Sequence, residues 1–127
     1  MQENNLYEYA VIRVLPIVER EEFLNVGIIL FCKKTKFIKM LYTLNEEKIK
    51  CFSKDFDFEQ LELNLKIFQK IANGDVDAGP IAQFDIPSRF RWLTSLRSSV
   101  IQTSRPHPGM CDNLENTIMR LFIEMVE

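Results

Sequence analysis

Between Ile86 and Cys111 the chain carries no aspartate or glutamate, yet it holds Arg89, Arg91, Arg97, Arg105 and His107 among seven serine and threonine hydroxyls. A guanidinium stays charged at any ordinary pH and forks around carboxylate or phosphate oxygens. A cationic stretch with no acid of its own is suited to holding an anion. Ser98, Gln102 and Ser104 can add hydrogen bonds within it, and His107 is the one imidazole of the chain.

Two arginines outside the stretch join the candidate set. Arg13 interrupts an apolar strand pattern on the face that carries Tyr9, Val11 and Leu15. A charge there is costly unless it is paired. Either an internal carboxylate such as Glu19 or Glu22 answers it, or Arg13 lines a pocket and meets a ligand anion. Arg20 lies in the charged loop Glu19 to Glu22.

Catalytic patterns are sparse. His107 lies downstream of several serines, but no Gly-x-Ser-x-Gly elbow and no evident third member accompany it. There is no glycine-rich phosphate loop. The acidic pairs Glu21 with Glu22 and Asp55 with Asp57 are explained by solvation and helix capping. Cys32, Cys51 and Cys111 are odd in number and far apart, with no Cys-x-x-Cys pair. Zinc and a disulfide framework are therefore not expected, and the thiols are read as reduced. No cofactor is expected.

The elements that must position these residues follow from periodicity. Tyr7 to Pro16 is a strand apolar on both faces, as a central strand would be. Val26 to Lys33 and Phe37 to Leu44 form an antiparallel hairpin across Lys34-Thr35-Lys36. Gly27 suggests a bulge or a close backbone approach. Asn45 to Phe52 is a short helix. Asp57 with Gln60 forms a capping box for a helix in which Phe58, Leu61, Leu65, Phe68 and Ala72 recur at three- and four-residue steps, and Gly74 stops it.

A helical turn near Ser88 to Thr94 leads to a strand at Ser98 to Thr103. On its wheel Phe90, Trp92, Leu93 and Leu96 share one arc, so Trp92 is expected to be buried. Arg89 and Arg97 fall on that arc, where they snorkel at a core edge or meet anions, while Arg91 points away. Pro106, Pro108 and Gly109 predict an irregular turn. Asp112 with Glu115 is expected to cap a last helix carrying Leu114, Ile118, Leu121, Phe122 and Met125. Strands first and helices after indicate an α+β fold. The expectation is one compact domain over 1–127, with an antiparallel sheet of about three to five strands backed by two main helices.

Composition agrees with this. The chain has 127 residues, 46% hydrophobic and 27% charged, which suits a single core. Its longest apolar run, Val26 to Cys32, falls far below the roughly 18 residues of a spanning helix. The start Met1-Gln-Glu-Asn-Asn has no signal-peptide character, so a cytoplasmic location is expected. Net charge is −2 and all nine lysines lie between Lys33 and Lys70, so no global basic field recommends nucleic acid as the partner.

Several blocks resemble a bacterial family, domain of unknown function 3037. They are Tyr7-Glu-Tyr-Ala-Val-Ile-Arg13, Arg20-Glu-Glu-Phe-Leu-Asn-Val-Gly27, Gly79-Pro80, Arg89-Phe-Arg-Trp-Leu93, Arg97-Ser-Ser99, Gln102, Ser104 and His107-Pro-Gly109. Leu96 and Arg105 depart from it, standing where the family often has proline. The resemblance implies no assigned activity. It implies a partner, since members are often encoded beside kinase-like proteins resembling the toxin of a toxin–antitoxin pair.

Two functions follow as expectations. The first is a non-catalytic accessory or binding protein whose arginine-rich patch grips a phosphate-bearing or acidic ligand, such as a surface of a kinase-like partner. The second is a small hydrolase or nuclease using His107 with Arg89 or Arg97 and a serine.

Overall fold

The computed structural model of the chain describes residues 4–95 and 99–127. Arg97 and Ser98 of the candidate set lie outside them. The fold is α+β, built on a five-stranded antiparallel sheet. Strand β1 (Asn5–Val14) pairs with β2 (Leu24–Cys32), and β2 pairs with β3 (Phe37–Tyr42). The free side of β1 is shared by two short strands, β4 (Ile101–Thr103) at one end and β5 (His107–Cys111) at the other.

The two central strands are apolar on both faces because helices cover both. Ala10, Ile12 and Val14 of β1, with Ile29 and Phe31 of β2, pack under α1 (Glu46–Phe52), α2 (Phe58–Asn73) and α3 (Ile86–Leu93). Tyr7 and Val11, with Ile28, Leu30 and Cys32, pack under α4 (Leu114–Met125). The two main helices thus cover the sheet from opposite sides. This follows from the two-residue period of a strand, which sends alternate side chains to opposite layers.

Local chemistry sets the ends of these elements. The Asp57 side chain accepts a hydrogen bond from the Gln60 backbone N–H at 3.1 Å, and Gly74 closes α2 with φ at 73°. Asp85 caps α3 by accepting from the Ser88 N–H at 2.9 Å. Hydrogen bonds from Ser88 hold the Asp85 carboxyl below the usual carboxylate range, helped by Arg91 and Arg89. A depressed pKa in the folded state contributes stability above the ordinary carboxylate pKa, which is lost as pH falls through the lowered value. Asp85→Asn is therefore expected to flatten the acid limb of a stability-against-pH curve, read by thermal melts from pH 6 downward.

Gly27 marks both features its position suggested. Ile12 faces Gly27 but Arg13 faces Asn25, so Val26 is the extra residue of a bulge. A Cβ on Gly27 would strike the Leu41 carbonyl and the Tyr42 Cβ. The β2–β3 connection turns on Lys36, whose φ of 55° is left-handed and whose N–H donates to the Lys33 carbonyl at 3.3 Å. Lys36→Gly removes that strain and should stabilise the domain by about 0.5–1 kcal/mol, seen as a raised urea midpoint with an unchanged slope.

Three expectations are corrected. His107–Cys111 is a strand and not an irregular turn. Among the described residues it pairs only with β1, and an edge strand tolerates Pro108 because one of its sides needs no donor. The last helix is capped by Asn113, whose side chain accepts from the Asn116 N–H at 2.9 Å, and not by Asp112. Trp92 is 36% exposed rather than buried. Phe90 and Leu93 occupy the inward arc of α3, and Trp92 lies about 200° around from Phe90, where its ring meets Phe68 at 6.1 Å. Trp92→Ala is accordingly expected to cost less than about 3 kcal/mol in a urea melt, below the range for a fully buried aromatic.

Candidate functional site

The α4 side of the sheet brings part of the candidate set together. Alternation along β1 places Tyr7, Tyr9, Val11 and Arg13 on this face, and register adds a partner to each. Gly109 lies opposite Tyr7, His107 opposite Tyr9 and Gln102 opposite Arg13. Ser104 sits beside Val11, where β4 ends and β5 has not begun. Its N–H donates to the Val11 carbonyl at 2.8 Å, and its hydroxyl accepts from the Val11 N–H at 2.9 Å. The side chain thereby replaces a missing backbone acceptor and carries the ladder across the break. Its own proton goes to the Arg105 carbonyl at 3.1 Å.

Helix α4 packs chiefly over β2 and β3. It buries Tyr7 and Val11 but leaves Tyr9, Arg13 and Gln102 half-buried and His107 exposed. The strip above β4 and β5 is therefore open, and its β4 and β5 residues come from the acid-free segment.

Arg13 is the centre of this strip. Among the described residues no carboxylate lies within ion-pair distance of it. Glu22, one of the two acids expected to answer it, pairs with Arg20 at 2.7 Å. The Arg13 guanidinium instead lies over the Phe23 ring, 4.3 Å from its centroid. Its Nε is buried and makes no hydrogen bond, as is the Oδ1 of its register partner Asn25. The Asn25 amide nitrogen is engaged by the Met125 carbonyl at 3.1 Å. The ring gives the guanidinium a cation–π contact, which does not use the N–H donors with which an arginine takes two oxygens of one anion.

The remaining candidates are elsewhere. Arg89 and Arg91 lie on α3, across the sheet from Arg13. Arg89 turns inward to the end of α2, where its Nη1 donates to the Ala82 carbonyl at 3.2 Å and packs against Gly74. A cation at the carbonyl end of a helix is favourably placed, although the Arg89 Nε, like that of Arg13, is buried without a hydrogen bond. Arg91 is exposed, beside Phe84 and Trp92 at a shallow surface hollow. Arg20 is exposed and salt-bridged. Gln102 donates its amide to the Ser99 carbonyl at 3.0 Å.

Sequence reasoning missed Phe23, Asn25 and Tyr9 as site residues. Arg20-Glu-Glu-Phe-Leu-Asn-Val-Gly27 does contain the first two, but only the bulge at Val26 fixes which side of β2 they take. A cavity of about 760 Å³ adjoins this end of the sheet, between the start of β2, α1 and the end of α4, with Asn25 on its wall. Among the described residues no group of three or more His, Cys, Asp or Glu side chains could hold a metal ion. No described helix is long and apolar enough to cross a membrane.

No curated protein and no solved structure matches this chain. A family model matches residues 9–126, from the middle of β1 through α4. The chain thus belongs to DUF3037, a family described as protein of unknown function.

Proposed function

We propose that the protein is a non-catalytic binding protein that takes a phosphate or carboxylate group at Arg13 on the open strip of its sheet. The observation that carries this reading is a half-buried arginine with no counter-ion among the described residues, its guanidinium over the Phe23 ring and its Nε without a hydrogen bond. A charge removed from water costs stability unless a partner compensates it. An occupant from outside supplies what the chain does not. The neighbourhood is favourable to an anion, since β4, β5 and their connection contain no acid.

A phosphate-bearing or acidic group on a kinase-like protein is the partner this reading favours, on the strength of the family resemblance. Three separated cysteines, none in a disulfide, suit a reducing cytoplasm. The hydrolytic reading has less support. Arg89 stands on the opposite face of the sheet, and the Ser104 hydroxyl is committed to the backbone both as acceptor and as donor.

Calorimetric titration of wild type and Arg13→Ala with inorganic phosphate tests the proposal. Loss of a charge-assisted hydrogen bond worth about 1.5–3 kcal/mol weakens binding by about ten- to a hundredfold. Equal affinities in two folded proteins would refute it. Arg20→Ala, the replacement of an exposed and already paired arginine, should bind as wild type does.

A further inference from the structure

The open strip carries a second feature besides its cation. His107 is exposed and its ring rests on Tyr9, with centroids 5.4 Å apart and planes at 39°. Tyr9 in turn meets Tyr7 at 6.3 Å. The imidazole is held on one side by this row and on the chain by Pro106 and Pro108, each of which fixes its backbone φ. Little conformational freedom remains to be lost when a flat group settles on the outer side of the ring. His107 also does nothing else that the structure accounts for: it caps no helix and joins no metal cluster among the described residues.

The two features stand in register. His107 faces Tyr9 and Gln102 faces Arg13, so the aromatic row and the cation are four residues apart along β1, about 13 Å. The Arg13 guanidinium lies over Phe23, on the β2 side of β1 and away from β5, so a ligand that touches both features must span at least that distance. Gln102, beside Arg13, has committed its amide nitrogen to Ser99, which leaves its carbonyl oxygen as an acceptor for a hydroxyl. Arg105 lies exposed in the connection between the rows. A flat ring, a hydroxyl and a phosphate in line are the parts of a nucleotide. Bases stack on aromatic side chains of open sheet faces in this way, with arginine taking the phosphate.

Building on the reading of Arg13 as an anion site, with the phosphate carried by a small ligand in place of a partner protein, we infer that the ligand is a nucleotide, with its base on His107 and its phosphate chain at Arg13. The same chemistry is offered by a free nucleotide and by one unit of a single strand.

Titrations with inorganic phosphate, ATP and a single-stranded RNA hexamer, each against wild type, His107→Ala, His107→Phe and Arg13→Ala, test the inference. ATP should bind wild type about tenfold or more tighter than it binds His107→Ala, the contribution of one stacked base. His107→Ala should leave phosphate binding unchanged, and His107→Phe, which keeps a ring, should restore the affinity for ATP. Arg13→Ala should weaken both. The tighter of ATP and the hexamer identifies the source. If ATP and phosphate bind wild type alike, or if His107→Ala binds ATP as wild type does, the nucleotide is ruled out while the anion site stands. If wild type binds none of the three probes, both readings fall. Circular dichroism of each variant confirms that the folds compared are the same.

Discussion

Phe90→Ala is expected to remove about 3–5 kcal/mol of stability, a large share of the about 5–15 kcal/mol that typically holds a domain together. Phe90 is 2% exposed, and its ring stacks on Phe31 of the central strand β2, with centroids 5.0 Å apart. Truncation would leave a void where α3 meets the sheet, within the cluster that also holds Ile12, Leu65 and Leu93. Fully buried neighbours cannot relax far enough to fill such a space. Urea melts read by circular dichroism give the number. A loss under about 1 kcal/mol would show that α3 is not anchored through Phe90. The contrast with Trp92→Ala, two residues away and smaller in effect, is what the orientation of α3 requires.

Gly27→Ala should be as damaging for the opposite reason. The added Cβ has no room: the Leu41 carbonyl and the Tyr42 Cβ block it from β3, and Ile12 crowds it from β1. Overpacking a core by a methyl group commonly costs about 1–3 kcal/mol. Here the obstacle includes main chain, and strands on both sides are hydrogen-bonded to β2. Relief requires the ladder to open, so a loss above about 3 kcal/mol is expected. Thermal melts would show it, and a melting temperature within a degree or two of wild type would contradict it.

Much of the fold is written in local signals. Asp57, Gln60 and Gly74 bracket α2 because capping depends on residues three or four apart. The strands of the hairpin and β1 follow from apolar runs ended by turn residues. What local signals do not contain is the partner of each strand. His107 to Cys111 reads as a turn because Pro108 and Gly109 disfavour regular strands. Only the free side of β1 converts it into one, with Gly109 accommodating the Tyr7 ring where a Cβ would collide.

The site was legible to a similar depth. The absence of acid from Ile86 to Cys111 pointed to β4 and β5, and the odd charge at Arg13 pointed to its strand. That Gln102 and His107 share the face of Arg13 depends on sheet register, which no spacing within one segment reveals. The surroundings of Arg89 were hidden for a comparable reason. On a wheel it lies near the buried arc, but its destination is the C-terminal end of α2, an element remote in sequence. Its anion substitute is a backbone carbonyl and a helix end.

If Arg13 holds an anion, its Nε–H reports on it directly. That nitrogen is buried and without a hydrogen bond, so its proton is shielded from water and suited to observation by arginine-selective NMR. Titration with inorganic phosphate is predicted to move the Arg13 Nε–H signal along a saturating curve, together with the side-chain amide of Gln102, while the Arg20 signal stays in place. An Arg13 signal that does not move, or that moves only in proportion to added salt along with every other arginine, would show that Arg13 holds no anion.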